Sequence, residues 1–499
     1  MVELFCSLTA KEADQRTIES GVSSVELMRR VAVGVLENLP ETKGKILIVC
    51  GKGGNGGDGY ALYLLMKKKG LSVFLTDFGE SRHEGAASLR ILCGKEIIPF
   101  PEDLDFSEYS TIIDCIFGVG LSRAPQGEYL AAIKKINAAK ANVVSVDIAS
   151  GLTTDGGIAL GAAVQADITI AVQSLKAGHF LGDGLDCTGQ VGALDIGISP
   201  LAPDAYLVEE EDVIPLFPPL KRNLHKGARG RIAVLAGCDA YSGAAVLAEL
   251  GASAFALGDG LVRLCVPNSI LYPVMNKITE CTLCAMPDGE KGMVYDEKAL
   301  AAAIEGEDAV LFGNGIGISE DAEKILVYLI REVKVPLILD ADALNLLSRN
   351  PLLLKERVGE TVLTPHPREM SRLMGIPTEE ILSDPISYAK EFAARYGVTL
   401  LLKSASTVIT DGKVAYISAT GSPGMAKGGS GDLLAGAVAS LIAGGRALLP
   451  AAYGAAYILG VAGEYAAQEV GEYSSLPTDT HRYVARVVKA LAEKAAKNR

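Results

Sequence analysis

The sequence predicts a two-domain α/β protein whose first domain is a doubly wound, mostly parallel sheet. Three observations carry this. At 499 residues the chain is too long for one ordinary core. Short, continuous apolar runs such as KILIVC (45–50) alternate with helical patterns, as buried parallel strands do. These runs end in loops rich in glycine, aspartate and serine, and in doubly wound sheets ligands bind at the carboxyl ends of the strands. With 55 glycines and only 11 phenylalanines, the composition suits many tight strand-to-helix turns.

Composition narrows the function classes. Apolar residues make up 49% and charged residues 21%, as in a well-packed globular protein. No apolar run reaches the roughly 18 residues of a membrane span. The N-terminus MVELFCSLTAKEADQ lacks a basic region followed by a sustained apolar one, so a cytoplasmic protein with no membrane partner is expected. A net charge of −13, without a basic arm or stripe, argues against nucleic acid. The nine cysteines are odd in number and scattered, which fits reduced core residues (Cys50, Cys115, Cys265). Cys281 and Cys284 form a lone C-x-x-C and are expected as buried strand residues.

Taken in order, Thr9…Glu12 and Ser23…Glu26 read as capping boxes opening helices. The second helix carries Leu27, Val31, Val35 and Leu36 on one face and ends near Pro40. The strand ending at Cys50 runs into GKGGNGGDGY and a helix with Leu62, Leu64, Leu65 and Met66. Further strands are predicted at Ser72–Thr76, Thr111–Phe117, Val143–Asp147 and Asp167–Val172. Three strand ends then converge: Gly51–Gly59, Asp114 with the following glycine loop, and Asp147 with Ser150. The first loop is neither a P-loop nor a G-x-G-x-x-G fingerprint, since neither Lys-Ser/Thr nor a ribose carboxylate completes it. It offers a backbone nest, the amide of Asn55 and the carboxylate of Asp58. Asn55, Asp114 and Ser150 supply hard oxygen ligands that suit an alkali or alkaline-earth cation.

A proline-rich stretch without sustained periodicity (198–219) marks the boundary, giving domains 1–207 and 208–499. The α/β rhythm restarts at Arg231–Ala236. Strand ends then present GNGIG (313–317), LDADALN (339–345), LTPHPREM (363–370) and Lys403 with Ser404, Ala405, Ser406 and Thr407. Last comes GSPGMAKGGSGDLLAG (421–436), in which glycines lead into an apolar helix. The N–H groups of Gly428, Gly429, Ser430 and Gly431 at this helix mouth are expected to hold an anion. Asp432 in the first turn is placed to take a proton from an attacking hydroxyl. Singly, His366 reads as a turn residue, Lys403 as a solvated strand end, and Asp340 and Asp342 as caps. Together they are the parts of a phosphoryl-transfer site.

Two resemblances follow. KILIVCGKGGNGGDG, IIDCIFGVGLSR and VVSVDIASGL resemble the epimerase domain of NAD(P)H-hydrate repair enzymes, which implies a Rossmann-like sheet. The resemblance implies substrate contacts at Gly54, Asn55, Gly56, Gly57 and Asp58, and along Gly118, Val119, Gly120, Leu121, Ser122, Arg123 and Ala124. It implies Asp147 as the catalytic carboxylate and K+ on Asn55, Asp114 and Ser150. HKGARGRIAVLAG, YSGAAVLA, GNGIG, LDADALN, LTPHPREM, LLKSASTVITDG and the 421–436 stretch resemble the ribokinase-like superfamily, and within it the ADP-dependent NAD(P)H-hydrate dehydratases. A ribokinase-like α/β sandwich is implied, with ADP and Mg2+ along Lys403–Thr407 and Gly428–Gly431. Hydrated substrate (NADHX or NADPHX) is implied at Ala245, Gly317, His366 and Asp432, the last as catalytic base. A homo-oligomer is expected. The chain departs from these patterns at Gly54, Ala149, Met28–Ala32, Asn314, Arg368, Ser422 and Ala426-Lys427. The competing reading is an ATP-dependent kinase of a small hydroxylated metabolite, with an N-terminal nucleotide-binding module that does no chemistry.

Overall fold

The computed structural model describes residues 1–499 except 43, 101–103, 200, 226–228, 254–259 and 498–499. Part of the predicted HKGARG motif (226–228) therefore lies outside the described residues. Two compact units are present, one of Glu3–Ala205 and one of Met1–Val2 with Tyr206–Arg499.

In the first unit seven parallel strands lie in the order Ile97–Pro99, Val73–Asp77, Ile46–Cys50, Thr111–Cys115, Asn142–Val146, Ile168–Val172, Gln190–Leu194. The central strand Ile46–Cys50 is wholly buried because both sheet faces are covered. Ile46 and Ile48 join one core cluster, while Leu47 and Val49 join the other, as the two-residue repeat of a strand requires. After Ile46–Cys50 the chain first adds strands on one side, then returns to the other at Thr111–Cys115. The crevice between these two strands is the switch point where such sheets bind ligands. The two outermost strands write only short runs, IIP and VGAL, and neither is among the strands the sequence predicts.

The helix Ser24–Asn38 begins as predicted, with Ser23 Oγ accepting the Glu26 N–H at 3.2 Å. The first helix does not. It starts at Ser7 rather than after Thr9, because the Asp155 carboxylate accepts from Ser7 N (2.6 Å) and Ser7 Oγ (2.7 Å). A cap supplied from 148 residues away leaves no local signature.

The second unit orders its strands Thr282–Met286, Leu261–Pro267, Arg231–Leu235, Ala309–Phe312, Leu337–Leu339, Thr361–Leu363, Thr399–Leu402, Thr407–Thr410, Ala415–Ser418. The pairings are parallel up to Thr399–Leu402 and antiparallel over the last two. Beside the sheet, helices Ser242–Ala252 and Ser430–Ala443 pack backbone to backbone. A Cβ at Gly251 would lie 2.0 Å from Leu433 O, and one at Gly436 would lie 2.2 Å from Ala248 O. Only glycine permits this approach, and it fixes where the second helix starts.

Two expectations need correction. The 198–219 stretch is not irregular throughout: it holds the strand Ala205–Leu207, the helix Glu210–Val213 and the 3-10 turn Ile214–Leu216, while Pro200 lies outside the described residues. Cys281 and Cys284 are partly exposed rather than buried, since Thr282–Met286 is an edge strand with one neighbour. Among the described residues no helix is long and apolar enough to cross a membrane.

Candidate active sites

In the first unit the three predicted strand ends meet. They line one cavity of about 1230 Å³, together with parts of the first two helices. Gly54, Asn55, Asp58, Asp147 and all of Gly118–Ala124 face it. Gly56 and Gly57 do not, which corrects the reading of a loop nest. The helix Gly54–Lys68 starts inside that loop, so both glycines are buried in its first turn. A Cβ at Gly56 would lie 2.0 Å from Gly51 O, and one at Gly57 would lie 2.5 Å from Met28 Cε. These two glycines serve packing.

Asp147 follows the strand Asn142–Val146 at φ +73°, an uncommon conformation for a non-glycine residue and a mark of functional sites. Its backbone is pinned: the N–H donates to Ile170 O at 2.8 Å, and its carbonyl accepts from His179 Nε2 at 3.0 Å. Because His179 Nδ1 accepts the Lys176 N–H (3.2 Å), the proton sits on Nε2, and burial pushes the ring's pKa down to about 4. Asp147 Oδ1 pairs with the buried Lys176 Nζ at 2.5 Å, and Oδ2 accepts from Val119 N at 3.2 Å. Two further carboxylates join this pair. Burial, then the charges of Asp147 and Asp14, push Asp58 well up. Asp14 is exposed as a residue, yet the cavity wall strips water from its carboxyl and, with Asp147, pushes it up to about 6.

The cation-ligand residues also come together. Asn55 Nδ2 donates to Phe117 O (2.9 Å) and Val146 O (3.1 Å), which leaves its buried Oδ1 without a protein partner among the described residues. Asp114 is fully buried and accepts from Ser150 Oγ (2.6 Å), Ser150 N (2.8 Å), Ser145 Oγ (3.0 Å) and Ile116 N (3.1 Å). Burial nonetheless pushes its carboxyl up. An orphaned amide oxygen beside a buried carboxylate fits a hard monovalent cation.

In the second unit Asp432 sits in the first turn of Ser430–Ala443, whose N-cap Gly429 has φ +98°. The N–H groups of Gly428, Gly429 and Gly431 have no protein acceptor among the described residues. That of Ser430 is corrected: it donates to Lys427 O at 3.3 Å, closing the turn, so it is not an open anion donor. Lys403 Nζ lies against this mouth, 3.2 Å from where a Cβ on Gly431 would be, and pairs with Asp340 Oδ1 at 2.6 Å. Asp340 also accepts from Thr364 Oγ1 (2.7 Å) and Asn314 Nδ2 (2.9 Å). The same Nδ2 donates to Asp432 Oδ1 at 2.7 Å. Burial pushes Asp432 up to about 6, against the pull of the Asn314 hydrogen bond.

The other predicted contacts divide. His366 caps the helix Pro367–Met374, its Nδ1 accepting from Arg368 N (3.1 Å) and Glu369 N (3.2 Å), while Nε2 lies 3.5 Å from Glu369 Oε1 and the side chain is half-exposed. Ser404 and Ala405 are exposed in the turn between antiparallel strands, and Ser406 is buried. Ala245 is fully buried under Gly237, so its side chain offers no open surface. The Gly317 N–H is already given to Asp342 Oδ2 at 2.9 Å.

Comparisons with known proteins show the family and the fold. A family model described as NAD(P)H-hydrate dehydratase matches residues 232–486, and one described as YjeF-related protein N-terminus matches 24–178. The chain is 33% identical to the bifunctional NAD(P)H-hydrate repair enzyme of Coxiella burnetii over 496 residues, covering 96% of this chain and 98% of that one. The Escherichia coli enzyme of the same name is also 33% identical, over 89% of this chain and 84% of that one. This chain belongs to the bifunctional NAD(P)H-hydrate repair enzyme family. The crystal structure of the ADP/ATP-dependent NAD(P)H-hydrate dehydratase of Bacillus subtilis, co-crystallised with ATP and Mg2+, superimposes with a TM-score of 0.50. It is 29% identical and covers 57% of this chain and 99% of that one. The kinase reading is not favoured.

Within this repair-enzyme chain several site residues carry no motif of their own. Lys176 is one lysine after a strand, and Asp14 looks like the polar face of a helix. Asn314 lies inside the GNGIG motif, but there it reads as a departure from the family pattern and not as a partner of Asp432. Only the assembled fold puts them beside Asp147 and Asp432.

Proposed function

We propose that this chain repairs hydrated nicotinamide coenzymes in two steps, with 1–207 as the epimerase domain and 208–499 as the ADP-dependent dehydratase domain. The observation that carries the reading is Asp432. It is a carboxylate at a glycine-lined helix mouth, beside an ion-paired lysine, with open N–H donors within the same turn. In the dehydratase, the substrate's ring hydroxyl attacks the β-phosphorus of ADP while Asp432 accepts its proton, and the P–O bond to AMP breaks. The Gly428, Gly429 and Gly431 amides and Lys403 stabilise charge on the transferring phosphoryl group. The ring nitrogen lone pair then expels phosphate from carbon, and loss of a proton from the adjacent carbon restores the dihydronicotinamide ring. Products are NAD(P)H, AMP and phosphate. Mg2+ would be held mainly by the diphosphate oxygens, supplying charge neutralisation.

In the epimerase, Asp147 handles the hydroxyl proton as the hydrate inverts, and Lys176 holds its carboxylate in place. Asn55, Asp114 and Ser150 would hold K+, whose charge would offset Asp114. The proposed setting is a cytoplasmic homo-oligomer acting on NADHX and NADPHX. The test is incubation of purified protein with hydrated coenzyme and ADP, following the return of dihydronicotinamide absorbance. No return, or return with ATP at the expense of a stable phosphorylated product, overturns the reading.

A further inference from the structure

We propose that Asn314 is a positioning residue of the dehydratase: its amide fixes one oxygen of Asp432 so that the other stays free for the substrate's hydroxyl proton. The inference rests on the reading of Asp432 as the base and goes one residue beyond it. Asn314 is fully buried in the turn after the strand Ala309–Phe312. Its backbone is anchored independently of its side chain, the carbonyl accepting from Gly237 N at 2.9 Å. Both neighbours of the side chain, Asp340 Oδ2 at 2.9 Å and Asp432 Oδ1 at 2.7 Å, are carboxylate oxygens. Ionised carboxylates only accept, so the NH2 end must face them, and its two hydrogens are both used. The buried Oδ1 has no protein partner among the described residues, which places its acceptor beside the base.

The chemistry of this arrangement is specific. The charged groups facing Asp432 are Asp340 just after Leu337–Leu339, Asp342 at the start of the helix Asp342–Leu347, and Lys403 after Thr399–Leu402. Lys403 is spent on Asp340 at 2.6 Å. Asp432 is therefore held by a neutral donor, which orients the carboxylate while drawing off less of its basicity than a direct lysine contact would.

The test is the pH profile of kcat/KM for hydrate dehydration in the full-length enzyme, for wild type, Asn314→Ala and Asn314→Ser. Thermal melting checks that each variant folds, and calorimetry with ADP checks nucleotide binding. Loss of a hydrogen bond to a carboxylate should move the acid limb alkaline by about one to two pH units in Asn314→Ala. That is a tenfold to hundredfold loss of activity below the limb, with the smaller part of the loss remaining above it. The shorter hydroxyl of Asn314→Ser should give an intermediate limb. A folded Asn314→Ala whose profile keeps the wild-type limb, whatever its plateau, overturns the proposal. Asp432→Asn separates the two ideas. Dead Asp432→Asn with an unmoved Asn314→Ala limb leaves the base reading standing and removes Asn314 from it, whereas active Asp432→Asn overturns both.

Discussion

Replacing Asp432 with asparagine should abolish dehydration and make the protein more stable. The substituted amide keeps an oxygen to accept from Asn314, and exchanges the charge and the second carboxylate oxygen for a neutral NH2 group. In the native chain burial is the main reason the carboxyl is pushed up to about 6 from 3.8, with Asp340 adding to it and Asn314 and Lys403 opposing. An acid whose native pKa lies above its unfolded value binds its proton more tightly when folded. Stability then falls as pH rises from about 4 through about 6, and the loss is complete above that. A gap of about two pH units corresponds to about 3 kcal/mol, and partial exposure of the site reduces this to about 1–3 kcal/mol. The charge-free variant escapes the penalty. At about 2–4 °C per kcal/mol for a unit of this size, the second unit of Asp432→Asn should melt about 2–12 °C higher at pH 8. The difference should vanish at pH 4. Calorimetry at both values decides it. A variant that melts lower at pH 8, or gains equally at both values, refutes the claim that burial of a charged carboxylate is what the site maintains.

Lys403→Met should lose ADP binding by calorimetry and cost about 3–5 kcal/mol, because it leaves the buried Asp340 without its cation. Lys176→Met should abolish exchange of the two hydrate epimers with dehydration of the correct epimer intact, and should lower the melting of the first unit by a comparable amount, Asp147 being left unpaired. Exchange that survives this change would remove Asp147 and Lys176 from the chemistry. Replacing KCl by choline chloride at constant ionic strength should lower the melting temperature of the first unit. Saturation at 100-fold over Kd is worth about 2.7 kcal/mol. The salt effect should disappear in Asn55→Ala, and an equal effect in that variant would exclude Asn55 as a ligand.

What the sequence revealed and what it hid follow one physical distinction. Strands buried on both faces, such as Ile46–Cys50, write a continuous apolar run and were legible to within a residue. The edge strands Ile97–Pro99 and Gln190–Leu194 are partly exposed and write only the short runs IIP and VGAL, too brief to stand out. Local caps such as Ser23 with Glu26 can be read, whereas the Asp155 cap of Ser7 depends on the finished fold. The motif glycines were legible as special but not in their roles. Gly56 and Gly57 permit close packing, while Gly429 permits a left-handed turn at the helix mouth. The partners of the two functional aspartates, Lys176 and Asn314, are separated from them by 29 and 118 residues, and neither has a spacing rule.

The two aspartates differ in a way that assigns their work. Asp147 touches a buried ammonium at 2.5 Å and has its backbone clamped at a positive φ, so both its charge and its direction are fixed before substrate arrives. Asp432 touches only an amide, and the nearby ammonium belongs to Asp340. A carboxylate held by a neutral donor in a site that disfavours its charge is a strong acceptor of protons. The dehydratase needs a group that takes a proton once per phosphoryl transfer, and the second arrangement supplies it. Epimerisation returns the proton it borrows, so a carboxylate held in one direction serves it. Moving a cation into contact with Asp432, as in Asn314→Lys, should therefore shift the acid limb of dehydration downward and lower its plateau. Unchanged catalysis in that variant would show that the separation of lysine from base is incidental.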